Sequence, residues 1–154
     1  MSTRDAECMR LAIQAAQKGI EAGEMPFGAC LVRRGQVVVA SHNSAKANLD
    51  TTSHAEVQAI RDASRILRSL ELPGCVLYAT CEPCPMCFAA CAWAKIARIV
   101  FACRIDDAAK AGIRQIPISA GRMKDLGYRE VELVGDVLRD ESLTLFETWS
   151  RGKS

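Results

Sequence analysis

The eleven residues CEPCPMCFAAC, 81–91, set four cysteines at the spacing C-x2-C-x2-C-x3-C. No other stretch restricts the fold as tightly, because thiols this close together are bridged, bound to metal or packed away from water. Three readings compete. The full spacing is that of a bacterial ferredoxin cluster loop, which needs Cys81 and Cys91 as ligands. The inner CPMC has the form of a thiol redox motif. The third reading takes only Cys84 and Cys87 and looks for a histidine elsewhere.

The rest of the chain bears on the choice. Eight cysteines in 154 residues is a high density. The N-terminus MSTRDAECMR is charged and has no apolar h-region, so the expectation is a cytoplasmic protein whose thiols are reduced or on metal. The length predicts a single domain, 1–154, with room for a real core. Hydrophobic residues at 49% and charged residues at 25% exclude disorder. A net charge of +2 creates no field that demands a polyanionic partner, and no apolar run is long enough to span a membrane.

The hydrophobic pattern predicts a helix over 3–22, with Met9, Ile13, Ala16 and Ile20 on one face and Gly23 as terminator. FGACLVRRGQVVVAS reads as a hairpin that turns at Arg34-Gly35. Residues 42–53 are polar and read as a loop. A helix over 54–70 follows, with Val57, Ile60 and Leu67 on its apolar face. CVLYAT and RIVFAC read as strands, separated by a helix from 85 with Pro85 in its first turn. Residues 106–126 read as partly helical around Pro117, REVELVG as a last strand and RDESLTLFETWS as a last helix. Strands that alternate with helices favour parallel crossovers. The predicted fold is therefore α/β: a mixed five-stranded sheet with helices on both faces and its last strand parallel to its neighbour.

HAE at 54–56 opens one predicted helix, and PCPMC at 83–87 opens another. His54, Cys84 and Cys87 form one nitrogen and two sulfur ligands, a set that suits Zn²⁺ with an open fourth position. Glu56 lies about 200° round an ideal helix from His54, so both face a metal only if His54 sits in N-cap geometry. H-x-E followed by P-C-x-x-C is the arrangement of zinc deaminases, in which a glutamate shuttles protons while water displaces an amine. The rivals stay open on these residues alone. A cluster reading leaves His54 and Glu56 without a role, and a structural zinc site needs Cys81 or His42 as a fourth ligand.

Beyond these motifs, MPFGACLV, HN at 42–43, TSHAEVQAI, LYATCEPCPMC, AWAKIARIVFA, DDAAKAG and FETW follow in order. This series resembles the cytidine deaminase-like superfamily over nearly the whole chain. PFGA, HAEV and CEPCPMC with Trp93 six residues later are most similar to bacterial guanine deaminases, with tRNA adenosine deaminases next. The resemblance implies the three-layer α-β-α fold of that superfamily and hydrolytic release of ammonia from an aminated nucleobase. Guanine is the first guess; tRNA adenosine, cytosine or another base are the alternatives, and a non-catalytic structural-zinc module is a minor one. It implies one zinc per chain on His54, Cys84 and Cys87, with Glu56 as proton shuttle. It implies base contacts from Asn43, Phe27, Trp93 and the backbone amides of Ala55 and Cys84. It also implies a homodimer, a small-molecule partner, and neither nucleic acid nor membrane. Guanine deaminases carry acidic residues after the AG of this segment. Here Ile113, Arg114 and Gln115 stand there, so Arg114 or Gln115 is expected to read a different edge.

Overall fold

Apolar spacing in the first twenty residues produces α1, Thr3–Glu21. Ser2 caps it by accepting from the Asp5 amide at 3.0 Å, which satisfies a donor that the helix itself leaves free. Met9, Ile13 and Ala16 are buried as expected and Ile20 is half-buried. A computed structural model describes residues 2–153; Met1 and Ser154, the two ends of the expected domain 1–154, lie outside the described residues.

The hairpin follows as β1, Gly28–Arg33, and β2, Gln36–His42, antiparallel with Arg33 opposite Gln36. Arg34 and Gly35 both have positive φ, 50° and 77°, the two-residue turn whose twist matches the strands. Then come α2, Ala45–Asn48, and α3, Ala55–Leu67. β3, Cys75–Cys81, leads into α4, Pro85–Trp93, and back to β4, Arg98–Cys103. The last part holds α5, Ile105–Lys110; α6, Ala120–Leu126; β5, Glu132–Val134; and α7, Arg139–Arg151.

The strands form one sheet in the order β2-β1-β3-β4-β5. β1 is antiparallel to β2 and β3, while β3, β4 and β5 run parallel. This is the expected mixed sheet, with its last strand parallel to its neighbour. α1 and α7 cover one face through a core of Met9, Ile13, Cys30, Val100 and Leu145. α3, α4 and α6 cover the other through Leu31, Ala59, Leu77, Phe88, Ile99 and Ala120. Helices on both faces leave β1, β3 and β4 almost wholly buried, as parallel crossovers require. No helix among the described residues is long and apolar enough to cross a membrane.

Several local expectations are corrected. The polar stretch 42–53 contains the single turn α2, because the Glu24 carboxylate accepts from the Lys46 and Ala47 amides and caps it. The buried stripe of α3 is Ala55, Ala59 and Ala63, whereas Val57, Ile60 and Leu67 are only half-buried. Small side chains at i, i+4 and i+8 let that helix lie close to the sheet, and closeness buries them fully. The same helix stops at Leu67, where Arg68 takes the left-handed conformation. The last strand spans three residues rather than seven, and only those three pair with β4.

Candidate active site

β3 delivers Cys81 to the end of the sheet, and the chain turns through Glu82 and Pro83 into α4. Cys84 is the N-cap of α4 with extended backbone, φ −66° and ψ 168°, and Pro85 is the first helical residue. Proline suits that position because its missing N–H would have had no intrahelical partner. His54 is likewise the N-cap of α3, φ −64° and ψ 157°. The extended cap removes the helical offset between His54 and Glu56, so the two side chains turn to one point.

That point is a compact set of three ligand atoms. His54 Nδ1 lies 3.7 Å from Cys84 Sγ and 3.5 Å from Cys87 Sγ. Tetrahedral zinc with bonds of about 2.0–2.1 Å to nitrogen and about 2.3 Å to sulfur separates such atoms by roughly 3.6 Å. The donor set therefore fits zinc in both chemistry and spacing. His54, Cys84 and Cys87 are also the one group of three potential ligands brought together among the described residues.

The electrostatics agree. The hydrogen bond with Cys87 is the main force holding the Cys84 thiol down to about 4; burial opposes it and His54 assists. Cys87 is raised in turn, first by that same bond and then by burial. His54 is raised, chiefly by its contact with Cys84. Two sulfurs and an imidazole thus compete for protons at two helix N-termini, which favour negative charge. Burial pushes the Glu56 carboxyl up to about 7, against the Cys87 hydrogen bond and the His54 charge. A cation on the ligand set would pull it back down.

His54, Glu56 and Cys84 open onto a cavity of about 210 Å³, also lined by Phe27, Asn43, Cys81 and Glu82. Arg114 and Gln115 complete its wall, together with Met25 and Ile113. Asn43 is buried, and its Oδ1 accepts from the Ala45 amide at 3.0 Å. That bond uses one lone pair of the oxygen, and the amide NH₂ is what adds donors toward a ligand. Phe27 is braced edge-on by Phe146 of α7, centroids 6.1 Å apart. Ala55 is buried as the first residue of α3, where a backbone N–H has no intrahelical partner.

Trp93, expected at the base, does not line this cavity within the single chain. It is 79% exposed and lies with Phe88, Met123, Leu126 and Tyr128 on another surface. The reason is helix rise: six residues past Cys87 carry it about 9 Å down α4. Cys81 and Cys91 also stay apart from the ligand set. Cys81 Sγ faces the Arg104 carbonyl at 3.6 Å, and Cys91 packs into the α3–α4 core. The His42 ring is held by the Asn43 carbonyl at 2.7 Å and packs over Gly19.

Met25 and Glu82 were not singled out by sequence reasoning. Met25 carries no local signal. Glu82 does: an acid between a strand and a helix start, next to two ligands, needs a partner of its own.

The comparisons with known proteins point the same way. The model of the cytidine and deoxycytidylate deaminase zinc-binding region matches residues 2–103. A guanine deaminase of Bacillus subtilis is 36% identical over 142 residues, 92% of this chain and 90% of the relative. A tRNA-specific adenosine deaminase of Aquifex aeolicus is 40% identical over 93 residues, 60% of this chain and 62% of the relative. Among solved structures, a guanine deaminase of Nitrosomonas europaea superposes with a TM-score of 0.87 at 27% identity, covering 95% of this chain and 84% of that one. A tRNA:A34 deaminase superposes with a TM-score of 0.80 at 31% identity, covering 90% and 98%.

Proposed function

The chain belongs to the cytidine and deoxycytidylate deaminase family and is a hydrolase of C–N bonds, and on that premise we propose that its substrate is a free nucleobase or similar aminated heterocycle, guanine first. The observation that carries this reading is the polar lining of the cavity. The Asn43 NH₂ and the Arg114 guanidinium offer donors, while Gln115 Oε1 is a buried acceptor with no hydrogen-bond partner among the described residues. Donors beside one acceptor complement a ring edge that carries an oxo group next to a ring N–H, as guanine does. The match to the Bacillus guanine deaminase over nearly the full length supports the same choice.

Zinc on His54, Cys84 and Cys87, one ion per chain, supplies a Lewis acid that lowers the pKa of water to about 7. Glu56 takes a proton from the attacking water and passes one to the ring nitrogen beside the reacting carbon. It then takes the second proton from the hydroxyl now on that carbon, which becomes the oxo group, and gives it to the departing amine, which leaves as ammonia. One C–O bond forms, one C–N bond breaks, and the base gains an oxo group in place of its amine. Phe27, held by Phe146, offers its ring face to the flat base. In this reading the amides of Ala55 and Cys84 bond the base or the attacking water.

We also infer that 1–154 is a single domain and that it works as a homodimer. The exposed Trp93, Leu126 and Tyr128 support the pairing, since an apolar patch of this kind marks an interaction surface. Eight unpaired cysteines suit the reducing cytoplasm. A second reading, deamination of adenosine in tRNA, is favoured by the 40% identity over 93 residues to the Aquifex enzyme. Ammonia release from guanine, adenine, cytosine, their nucleosides and tRNA separates the readings. Release from guanine or another free base is the expected result. Release from tRNA alone establishes the second reading. A zinc-loaded chain that deaminates nothing is a structural-zinc module.

A further inference from the structure

The Glu82 carboxylate is buried, yet it touches neither the ligand set nor a charged side chain among its hydrogen-bond partners. Oε1 accepts from the Ile105 amide at 3.1 Å, and Oε2 accepts from the Ala120 amide at 2.7 Å. Its own amide donates to the Cys103 carbonyl at 2.8 Å. These partners are the first residues of α5 and α6 and the last residue of β4. Between α5 and α6 runs an irregular stretch, 113–119, that carries Arg114 and Gln115 to the cavity wall. Ile113 anchors its beginning by packing against Cys81, Cys103, Ala108 and Phe146. Its return is fixed at Ala120 by Glu82. The same residue stands two positions before Cys84 in the loop that holds the metal ligands.

We propose that Glu82 is the positioning residue for substrate recognition: one carboxylate pins both ends of segment 105–120 to the metal-ligand loop, and so fixes Arg114 and Gln115 relative to the reacting centre. The idea rests on the base-deaminase reading above. Both carboxylate oxygens are occupied, so glutamine cannot replace it. A carboxamide has one acceptor oxygen, and its NH₂ confronts the second backbone N–H. Aspartate is one methylene too short to reach both amides. A carboxylate bound to two backbone amides is a charge-assisted pair, stronger than neutral bonds. Its placement makes the spacing between the zinc site and the edge-reading side chains a property of one residue.

Two single variants cut the clamp from opposite ends. Glu82→Gln removes one acceptor. Ala120→Pro removes one donor and leaves Glu82 intact; Ser119 already has φ −66° and ψ 155°, which the residue before proline adopts readily. Zinc content, amide exchange over 105–120, KM and kcat are measured on the full zinc-loaded chain. The expected result is unchanged zinc, about tenfold faster exchange in 105–120, and KM raised about tenfold with kcat within about threefold. A cycle tests whether Glu82 acts through the segment: Glu82→Gln added to Arg114→Ala/Gln115→Ala raises KM no further than the latter change alone. Three results overturn the proposal: KM within about twofold of wild type in both clamp variants, multiplicative effects in the cycle, or no change of KM in Arg114→Ala/Gln115→Ala. If the wild type deaminates no base, the substrate reading fails instead. The clamp is then decided by exchange alone, and unaltered exchange in Glu82→Gln sinks it.

Discussion

At the scale of single residues, the site depends on where a few side chains stand in the first turn of a helix. His54 and Cys84 are caps, and Glu56 and Cys87 are their neighbours one turn in. Glu56 is buried against Cys87 and is not itself one of the three ligands. Glu56→Ala is therefore expected to retain zinc at the wild-type ratio and to lose about 10²–10⁴-fold in kcat. Metal analysis and ammonia release on the same sample check it; an active variant removes Glu56 from the proton path. Most of this was legible in the sequence, because H-x-E and P-C-x-x-C each fix local backbone geometry as well as chemistry. The role of Asn43 was only half legible. Its residue type shows both a donor and an acceptor, but the bond from Ala45 to its oxygen leaves the donor for a ligand. That Trp93 lies away from its own chain's cavity was not legible, because a motif spacing says nothing about which way a helix carries its later residues.

At the scale of elements, close approach and one buried ion pair hold the layers together. A Cβ built on Gly28 would stand 2.0 Å from the Ala12 carbonyl oxygen and 2.7 Å from the Ala16 nitrogen. Backbone cannot yield there as a flexible side chain would. Gly28→Ala is expected to push α1 off β1 and cost about 3 kcal/mol or more, read from the urea midpoint. In the same region Arg98 of β4 binds the Asp5 carboxylate of α1 with two bonds of 2.8 Å, and the Tyr78 hydroxyl donates to it. The Arg98 hydrogen bonds hold Asp5 down to about 2, against burial, which raises it. A carboxylate depressed in the folded state stabilises the fold above its unfolded pKa near about 3.9, and the gain disappears as pH falls through the folded value. The stability difference between wild type and Asp5→Asn should therefore narrow by about 2 kcal/mol between about pH 5 and pH 2. A constant difference over that range removes the ion pair from the stability of the fold. Element types followed from periodicity, since apolar spacing separates helix from strand. Their faces did not always follow. The alanine stripe of α3 is invisible to a search for large apolar residues, although it is the side that meets the sheet.

At the scale of the whole molecule, the two halves of the site are thirty residues apart in the chain and meet because α3 and α4 lie side by side on one face of the sheet. The segment between α5 and α6 supplies Ile113, Arg114 and Gln115 to the cavity wall. The surface bearing Trp93 lies outside the cavity, and our inference gives it to a second copy of the chain. Trp93→Glu is expected to yield a species of single-chain mass in sedimentation, with zinc content unchanged; a wild type that is already monomeric ends that assignment. The sequence by itself determined the residue types of the site: the candidate ligands, the carboxylate beside them, the helix starts that present them and the alternation that makes the sheet mixed. These are local properties, set by residue identity over a few positions. Only the tertiary structure decided what Cys81 and Cys91 pack against, which wall Arg114 and Gln115 occupy and what Glu82 holds. Those depend on contacts across tens of residues, and no spacing within a motif encodes the distance between two helices.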